Sequence, residues 1–431
     1  MAAYIVLLFI SFLLVLNPVP VKPNGLVLPI QKDQSTKYTQ YITRIYQRTP
    51  LVPVKLTLDL GGENLWVDCD QRLYYSSSYK AAHCGSKVCS TYSGGGCRDC
   101  YVGPQPGCNN NTCTTAIRNR ITDHLTGEEL AQDLLALQSN NGSSKAGHLV
   151  TSAGFVFACG EASILEGTPE NVNGFAGFGR GKLGLPSLLS KGFRLPNKFA
   201  LCLSNSTRST GVLYFGDKPY MTNPNRDISV YLLYTPLLIK PFSIPGVHFK
   251  DDFSSDYWIQ VKSIKISGKE VPINATLLTI DKEGYGGTKI STIHPYTVME
   301  TSIYRAFKKA FIKELAHIPR VKAVAPFEVC YSSKSLPYTQ VGPSAPFIDL
   351  GLHHESVWWR IYGENSMVKV SKDVLCLGFV DGGENREVGM VIGAHQIQNN
   401  LLQFDLESNR LGFTSLLFLQ QTSCANFNFK G

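Results

Sequence analysis

The residues of this chain that could do chemistry lie in two short stretches, each where an apolar strand runs into a polar turn. Leu56-Thr57-Leu58-Asp59-Leu60-Gly61-Gly62 carries a carboxylate, and Ile290-Ser291-Thr292-Ile293-His294 carries a hydroxyl with an imidazole three residues later. Two carboxylates facing each other would share one proton, one drawing a proton from water while the other protonates a carbonyl. A serine opposite an aspartate is neither base nor acid near neutral pH, and positioned acid–base help is worth about 10²–10⁴ in rate. Ser291 and His294 raise a hydrolase triad instead. On a turn entering a helix they are not expected to reach the needed geometry, and no Gly-x-Ser-x-Gly elbow surrounds Ser291. His353-His354 offers two ligands for a metal, but neighbours point to opposite sides of a strand and no third ligand is evident. The expectation is a solvated loop, with no metal and no cofactor.

Those stretches belong to a weak internal repeat. Asp59-Leu60-Gly61-Gly62 is followed over a hundred residues later by Gly174-Phe175-Ala176-Gly177-Phe178-Gly179. Ser291-Thr292-Ile293-His294 is followed about a hundred residues later by Met390-Val391-Ile392-Gly393-Ala394-His395. In each half a turn after a buried strand is paired with an apolar-apolar-Gly strand, where glycine permits close backbone approach. Two related lobes facing a cleft follow, over 27–235 and 236–431, with residues 233–245 as the passage between them. Short strands bounded by Gly, Pro, Asn or Ser are read at 52–58, 211–215, 257–266 and 368–370. Apolar Val298, Ile303, Phe307, Phe311 and Leu315 predict one amphipathic helix over 296–315.

The 431 residues suffice for two lobes of about 200 each. With 43 % apolar and 17 % charged residues, 38 Gly and 23 Pro, the composition is that of a loop-rich, strand-rich globular protein. An apolar run from Ile5 to Leu16 is too short to cross a bilayer and suits a secretory leader over 1–22. No later segment is long and apolar enough for a membrane anchor. The 12 cysteines suit an oxidising compartment: Cys69, Cys159, Cys202, Cys330, Cys376, Cys424 and a cluster of Cys84, Cys89, Cys97, Cys100, Cys108 and Cys113 in an insert over 84–113. Cys97-x-x-Cys100 with Cys108 and Cys113 leaves zinc open by spacing; the leader favours disulfides. Sequons at Asn110, Asn141, Asn205 and Asn274 agree with secretion. The net charge of +8 includes no basic block that would bind nucleic acid. It is a solvated basic surface, or steers the chain to acidic polysaccharide or protein.

The stretch from Leu56 to Cys69 resembles the first active-site strand of pepsin-like aspartic proteases, and Leu401–Leu406 with Arg410–Phe413 resembles their last strands. More closely, the chain resembles the plant xyloglucan-specific endoglucanase inhibitors, extracellular dermal glycoprotein and basic 7S globulin, from Val27-Leu28-Pro29 to Cys424-Ala425-Asn426-Phe427-Asn428-Phe429. Gly286-Gly287-Thr288-Lys289-Ile290-Ser291-Thr292 and Leu375-Cys376-Leu377-Gly378-Phe379-Val380-Asp381-Gly382-Gly383 carry this most specifically.

The resemblance implies a mainly β, bilobal pepsin-like fold on a six-stranded base, with six disulfides including Cys330–Cys376; pairing inside the cluster stays open. It places Ser291 where the second catalytic aspartate belongs and leaves Asp59 as a relic, hydrogen-bonded to turn backbone. Leu60 replaces a hydroxyl residue, and Arg118-Asn119-Arg120-Ile121-Thr122 stands where active plant relatives carry a tyrosine flap. The chain should therefore not be a protease. The implied function is inhibition of microbial cell-wall-degrading glycoside hydrolases, in particular family-twelve xyloglucan endoglucanases, in the extracellular space or plant cell wall. Retaining glycosidases hold two carboxyl groups about 5–5.5 Å apart, and a planar guanidinium suits such a pair. The family's inhibitory surface lies on loops of the second lobe, which points to Arg320 and Arg386, with Arg410 a weaker third; Glu384 and Glu387 beside Arg386 could tie it down. A secreted receptor- or storage-like glycoprotein holding a small peptide or wall polysaccharide is the alternative.

Overall fold

A computed structural model describes residues 23–70, 74–92, 96–244 and 247–429, so the leader expected over 1–22 lies outside the described residues. The strand Val52–Asp59 runs parallel to Gly174–Gly177, with Asp59 opposite Gly177. Gly174–Gly177 in turn pairs antiparallel with Leu65–Asp68. The second half repeats this: Thr288–Ile290 runs parallel to Met390–Ile392, which pairs antiparallel with Thr297–Met299. One residue further on, Ser291 N donates to Ile392 O at 2.9 Å, so Ser291 ends its strand beside Gly393 as Asp59 does beside Gly177. Both glycines are needed for close approach. A Cβ on Gly177 would lie 2.2 Å from Asn64 O, and one on Gly393 2.2 Å from the Tyr296 carbonyl carbon.

The halves are joined by one antiparallel ladder of six strands, in the order Gly25–Asp33, Thr210–Gly216, Lys198–Cys202, Leu401–Asp405, Arg410–Phe413 and Leu233–Leu238. This is the six-stranded base of a bilobal β fold. Three of its inner strands, Thr210–Gly216, Lys198–Cys202 and Leu401–Asp405, are buried along nearly their whole length, with both faces covered. Phe199 stacks on Phe404 at 4.7 Å between ring centroids, and one apolar core continues from Leu56 and Leu58 through Phe178 to Phe307 and Phe413.

Three sequence-based boundaries shift. The helix is Thr301–Glu314, because Thr297–Met299 is held as a strand between Phe379–Asp381 and Met390–Ile392; Glu300 then caps the helix, accepting from Ser302 N at 2.8 Å. Tertiary pairing overrides the helical spacing there. The run expected as one strand over 257–266 is two, Tyr257–Ile259 and Ser263–Ile266, which join different sheets. The strand expected over 368–370 is Met367–Lys369.

All twelve cysteines pair: Cys69–Cys159, Cys84–Cys97, Cys89–Cys113, Cys100–Cys108, Cys202–Cys424 and Cys330–Cys376. Cys202–Cys424 fastens the C-terminal segment to the base across a separation of 222 residues, a long loop of the kind whose closure removes most freedom from the unfolded chain.

Candidate functional site

Asp59 leaves its strand into a tight turn: Gly62 N donates to Asp59 O at 3.2 Å, and Gly61 N donates to the Asp59 carboxylate at 3.1 Å. Thr292 from the other half locks against this turn. Its hydroxyl donates to Leu58 O at 2.8 Å and accepts from Leu60 N at 3.0 Å. Leu60, having no hydroxyl, cannot make the reciprocal contacts, so only one half of a symmetric lock exists.

The carboxylate itself faces a guanidinium. The hairpin of Thr112–Asn119 and His124–Asn140 turns through Arg120, whose Nη1 lies 3.7 Å from Asp59 Oδ1. Arg120 Nη2 donates to both oxygens of Asp256, at 2.8 and 3.0 Å, and Lys289 Nζ donates to Asp256 Oδ2 at 2.8 Å. Asp59 and Asp256 are both buried. Burial pushes the Asp59 carboxyl up, against the pull of Arg120. Burial also opposes the charge on Asp256, but Arg120 and Lys289 outweigh it and hold that carboxyl below its usual range. Gly61 makes room for the bridge, since a Cβ there would lie 1.9 Å from the Asp256 carboxylate and 2.1 Å from Arg120 Nη1. The cavity left beside Asp59 is about 90 Å³, with Trp66, Phe175 and Ser254 among its walls. Ligand pockets usually exceed about 300 Å³.

Ser291 and His294 do meet, contrary to the sequence expectation: Ser291 Oγ lies 3.0 Å from His294 Nδ1. The chain does not enter a helix at His294, and the turn instead folds back on the serine. Ser291 Oγ accepts from Ile293 N and His294 N, each at 3.2 Å, so its own proton goes to Nδ1. Burial, then the charges of Lys289 and Arg120, push His294 down to about 4. The imidazole is neutral, yet among the described residues no carboxylate hydrogen-bonds and orients it as a triad requires.

The predicted contact arginines lie elsewhere. Arg320 is exposed on the two-residue edge strand Arg320–Val321, paired with Cys330–Ser332. Arg386 is exposed in the loop between Phe379–Asp381 and Met390–Ile392. Among the described residues neither guanidinium has an ion-pair or hydrogen-bond partner, and neither Glu384 nor Glu387 ties Arg386 down. No hydrogen bond or ion pair joins the two loops among those residues. Arg410, by contrast, is engaged with Asp405 at 3.2 Å and lies over Tyr234. Asn110, Asn141 and Asn274 are exposed; Asn205 is half-buried, its amide donating to Glu364 at 2.7 Å. His353 and His354 bond to Gln260 and Ser356 respectively. Among the described residues the one group close enough for a metal is Cys84, Cys89 and Cys97, all in disulfides.

Sequence reasoning missed Arg120, Asp256 and Lys289 as a unit. Arg120 and Lys289 stood inside stretches already singled out, but nothing local marks Asp256 as their partner.

Comparison with known proteins bears on both halves. The family described as Xylanase inhibitor N-terminal matches residues 41–217, and Xylanase inhibitor C-terminal matches 256–415. A probable aspartic proteinase GIP2 of Nicotiana benthamiana is 53 % identical over 425 residues, covering 98 % of this chain and 96 % of that protein. Gamma conglutin 1 of Prunus dulcis is 41 % identical over 414 residues, covering 95 % and 91 %. Among solved structures, the crystal structure of edgp aligns with a TM-score of 0.91 at 48 % identity over 95 % of this chain and 99 % of that one. Basic 7S globulin from soybean aligns at 0.81 and 35 % identity over 94 % and 99 %.

Proposed function

The chain belongs to the xylanase-inhibitor-like family of bilobal pepsin-like proteins, and from that premise we propose that it is a secreted, proteolytically inactive inhibitor of microbial cell-wall-degrading glycoside hydrolases. The lobes are assigned to 27–235, with the insert at 84–113, and to 236–431, and the sequons are its glycosylation sites. One observation carries the reading: Arg386 is exposed and its guanidinium unpaired among the described residues, whereas the charges around Asp59 neutralise one another. Asp59 has Ser291, not a carboxylate, as its counterpart, and Arg120 lies over it. The other buried carboxylate there, Asp256, is held ionised by Arg120 and Lys289, so it cannot share a proton with Asp59 for peptide hydrolysis.

An exposed guanidinium can enter the open cleft of a retaining glycosidase and bond to the acid and the nucleophile together. Arg386 is the first candidate for that contact and Arg320 the second. A small peptide or polysaccharide held in the old cleft is disfavoured by the space of about 90 Å³ beside Asp59.

Titration of a family-twelve endoglucanase with the purified protein tests this. Xyloglucan cleavage should fall stoichiometrically; no effect at micromolar concentration overturns the reading. A microbial xylanase in a parallel titration tells which hydrolase is preferred.

A further inference from the structure

Every residue from Asp381 to Glu387 is exposed, yet the backbone of this loop is fastened on all sides. Thr301 N donates to Gly383 O at 3.1 Å, and Gly389 exchanges bonds with Gly287 O at 3.0 Å and Glu300 N at 2.9 Å. The two consecutive carbonyls of Arg386 and Glu387 are also bound. Arg386 O accepts from Gly286 N at 2.7 Å, and Glu387 O accepts from the Lys240 ammonium. Lys240 Nζ donates as well to Gly286 O, at 2.9 Å. The ammonium thus joins the loop to the glycine on which it docks.

Lys240 is itself held. It is buried, with its ammonium 4.1 Å from the centroid of Trp258, a cation–π contact that strengthens as water is excluded. Burial and the neighbouring Lys289 push its pKa down to about 8, which leaves it charged at neutral and acidic pH. It follows directly on the base strand Leu233–Leu238, so the loop is positioned from the chain that joins the halves. Gly286 has φ of +76° and a Cβ there would lie 2.4 Å from Thr279 O. Glycine is therefore required at 286 by its own turn, which presents its N–H and carbonyl to the loop and to Lys240.

We infer that Lys240 is a positioning residue for the Arg386 loop, fixing the backbone that follows the exposed arginine so that a partner's carboxylates meet a preorganised guanidinium. This rests on the reading of Arg386 as the contact residue. Ordering a loop before binding removes a cost that would otherwise fall on association.

The test uses the full chain with Lys240→Met, which keeps the stem over Trp258 but cannot donate, Lys240→Gln, and Lys240→Arg as rescue. Hydrogen exchange across residues 382–389 and at Gly286 is read first, after thermal unfolding has shown which variants fold. Lys240→Met or Lys240→Gln should exchange there about tenfold faster, equivalent to about 1.4 kcal/mol of local opening, with Lys240→Arg close to the parent. Inhibition of the family-twelve endoglucanase should weaken by about tenfold in the same variants. Lys240→Met in an Arg386→Ala background should add little, since the lysine acts through the arginine. Unchanged exchange in the folded variants overturns the clamp whatever the inhibition does. Faster exchange with no loss of inhibition, in Arg386→Ala as well, upholds the clamp and overturns the role given to Arg386.

Discussion

Two arginines in this molecule show opposite uses of the same group. Arg120, at a hairpin turn of the first half, lies between Asp59 and Asp256 and brings a guanidinium to two buried carboxylates of its own chain. Arg386, on a loop of the second half, has its backbone fastened and its side chain exposed. A buried charge must be paired within the fold, and once paired it has little left for a ligand. An exposed charge on a fixed backbone keeps its donors for a partner. The charges around Asp59 are thus taken up by the fold, while the Arg386 guanidinium is left exposed.

The largest expected effect of breaking that contrast is at the cleft. Arg120→Ala leaves Asp59 without its nearest cation and Asp256 with only Lys289, so unfolding in urea should show a loss of about 3 kcal/mol. Inhibition per folded molecule should not change. An unaltered midpoint would mean that the four charges do not hold the halves together.

The converse substitution acts on binding and not on stability. Arg386→Ala should weaken endoglucanase inhibition by about a hundredfold, some 2.7 kcal/mol, with the unfolding midpoint unmoved. Arg320→Ala should give a smaller loss. If both variants inhibit like the parent, the contact lies outside these loops.

A third, smaller effect separates the regions by pH. His294 and His395 are both pushed down to about 4, first by burial, from an ordinary value of 6.5. The fold therefore holds their neutral forms; that contribution is complete above pH 6.5 and is lost as pH falls toward 4. Each should cost about 1 kcal/mol over that interval, allowing for partial exposure. Asp59, pushed up, works in the opposite direction. Comparing thermal midpoints of His294→Gln and the parent at pH 7 and pH 4 isolates the histidine, and equal slopes would refute the assignment.

The smallest expected change is the most pointed. Ser291→Asp should produce no cleavage of denatured protein at acid pH, because Arg120 still sits against Asp59 and the space beside it is about 90 Å³. Cleavage that disappears on Asp59→Ala would show the cleft to be one residue from an enzyme.

The repeat of a strand end beside an apolar-apolar-Gly strand was legible without coordinates, because a glycine demanded by close backbone approach leaves a mark at its own position. Gly177 and Gly393 are such marks. The misread helix start at 296 shows the limit: Val298 fits a helical stripe, and only pairing with Phe379–Asp381 and Met390–Ile392 makes it part of a strand. The expectation that Ser291 and His294 would not meet failed for a similar reason, since their contact depends on how the turn folds back.

By itself, then, the sequence determined a bilobal β chain, an even set of cysteines, a repeat that sets Ser291 in the place Asp59 holds in the first half, and which stretches mark the family. Those are properties of residue type, spacing and local backbone demand. Only the tertiary structure decided that Arg120 meets Asp256 across 136 residues, how the clustered cysteines pair, and that Lys240 holds the Arg386 loop across 147. A charge or a thiol carries no local record of its partner, because long-range pairing is fixed by where the strands place each side chain and not by the residues beside it.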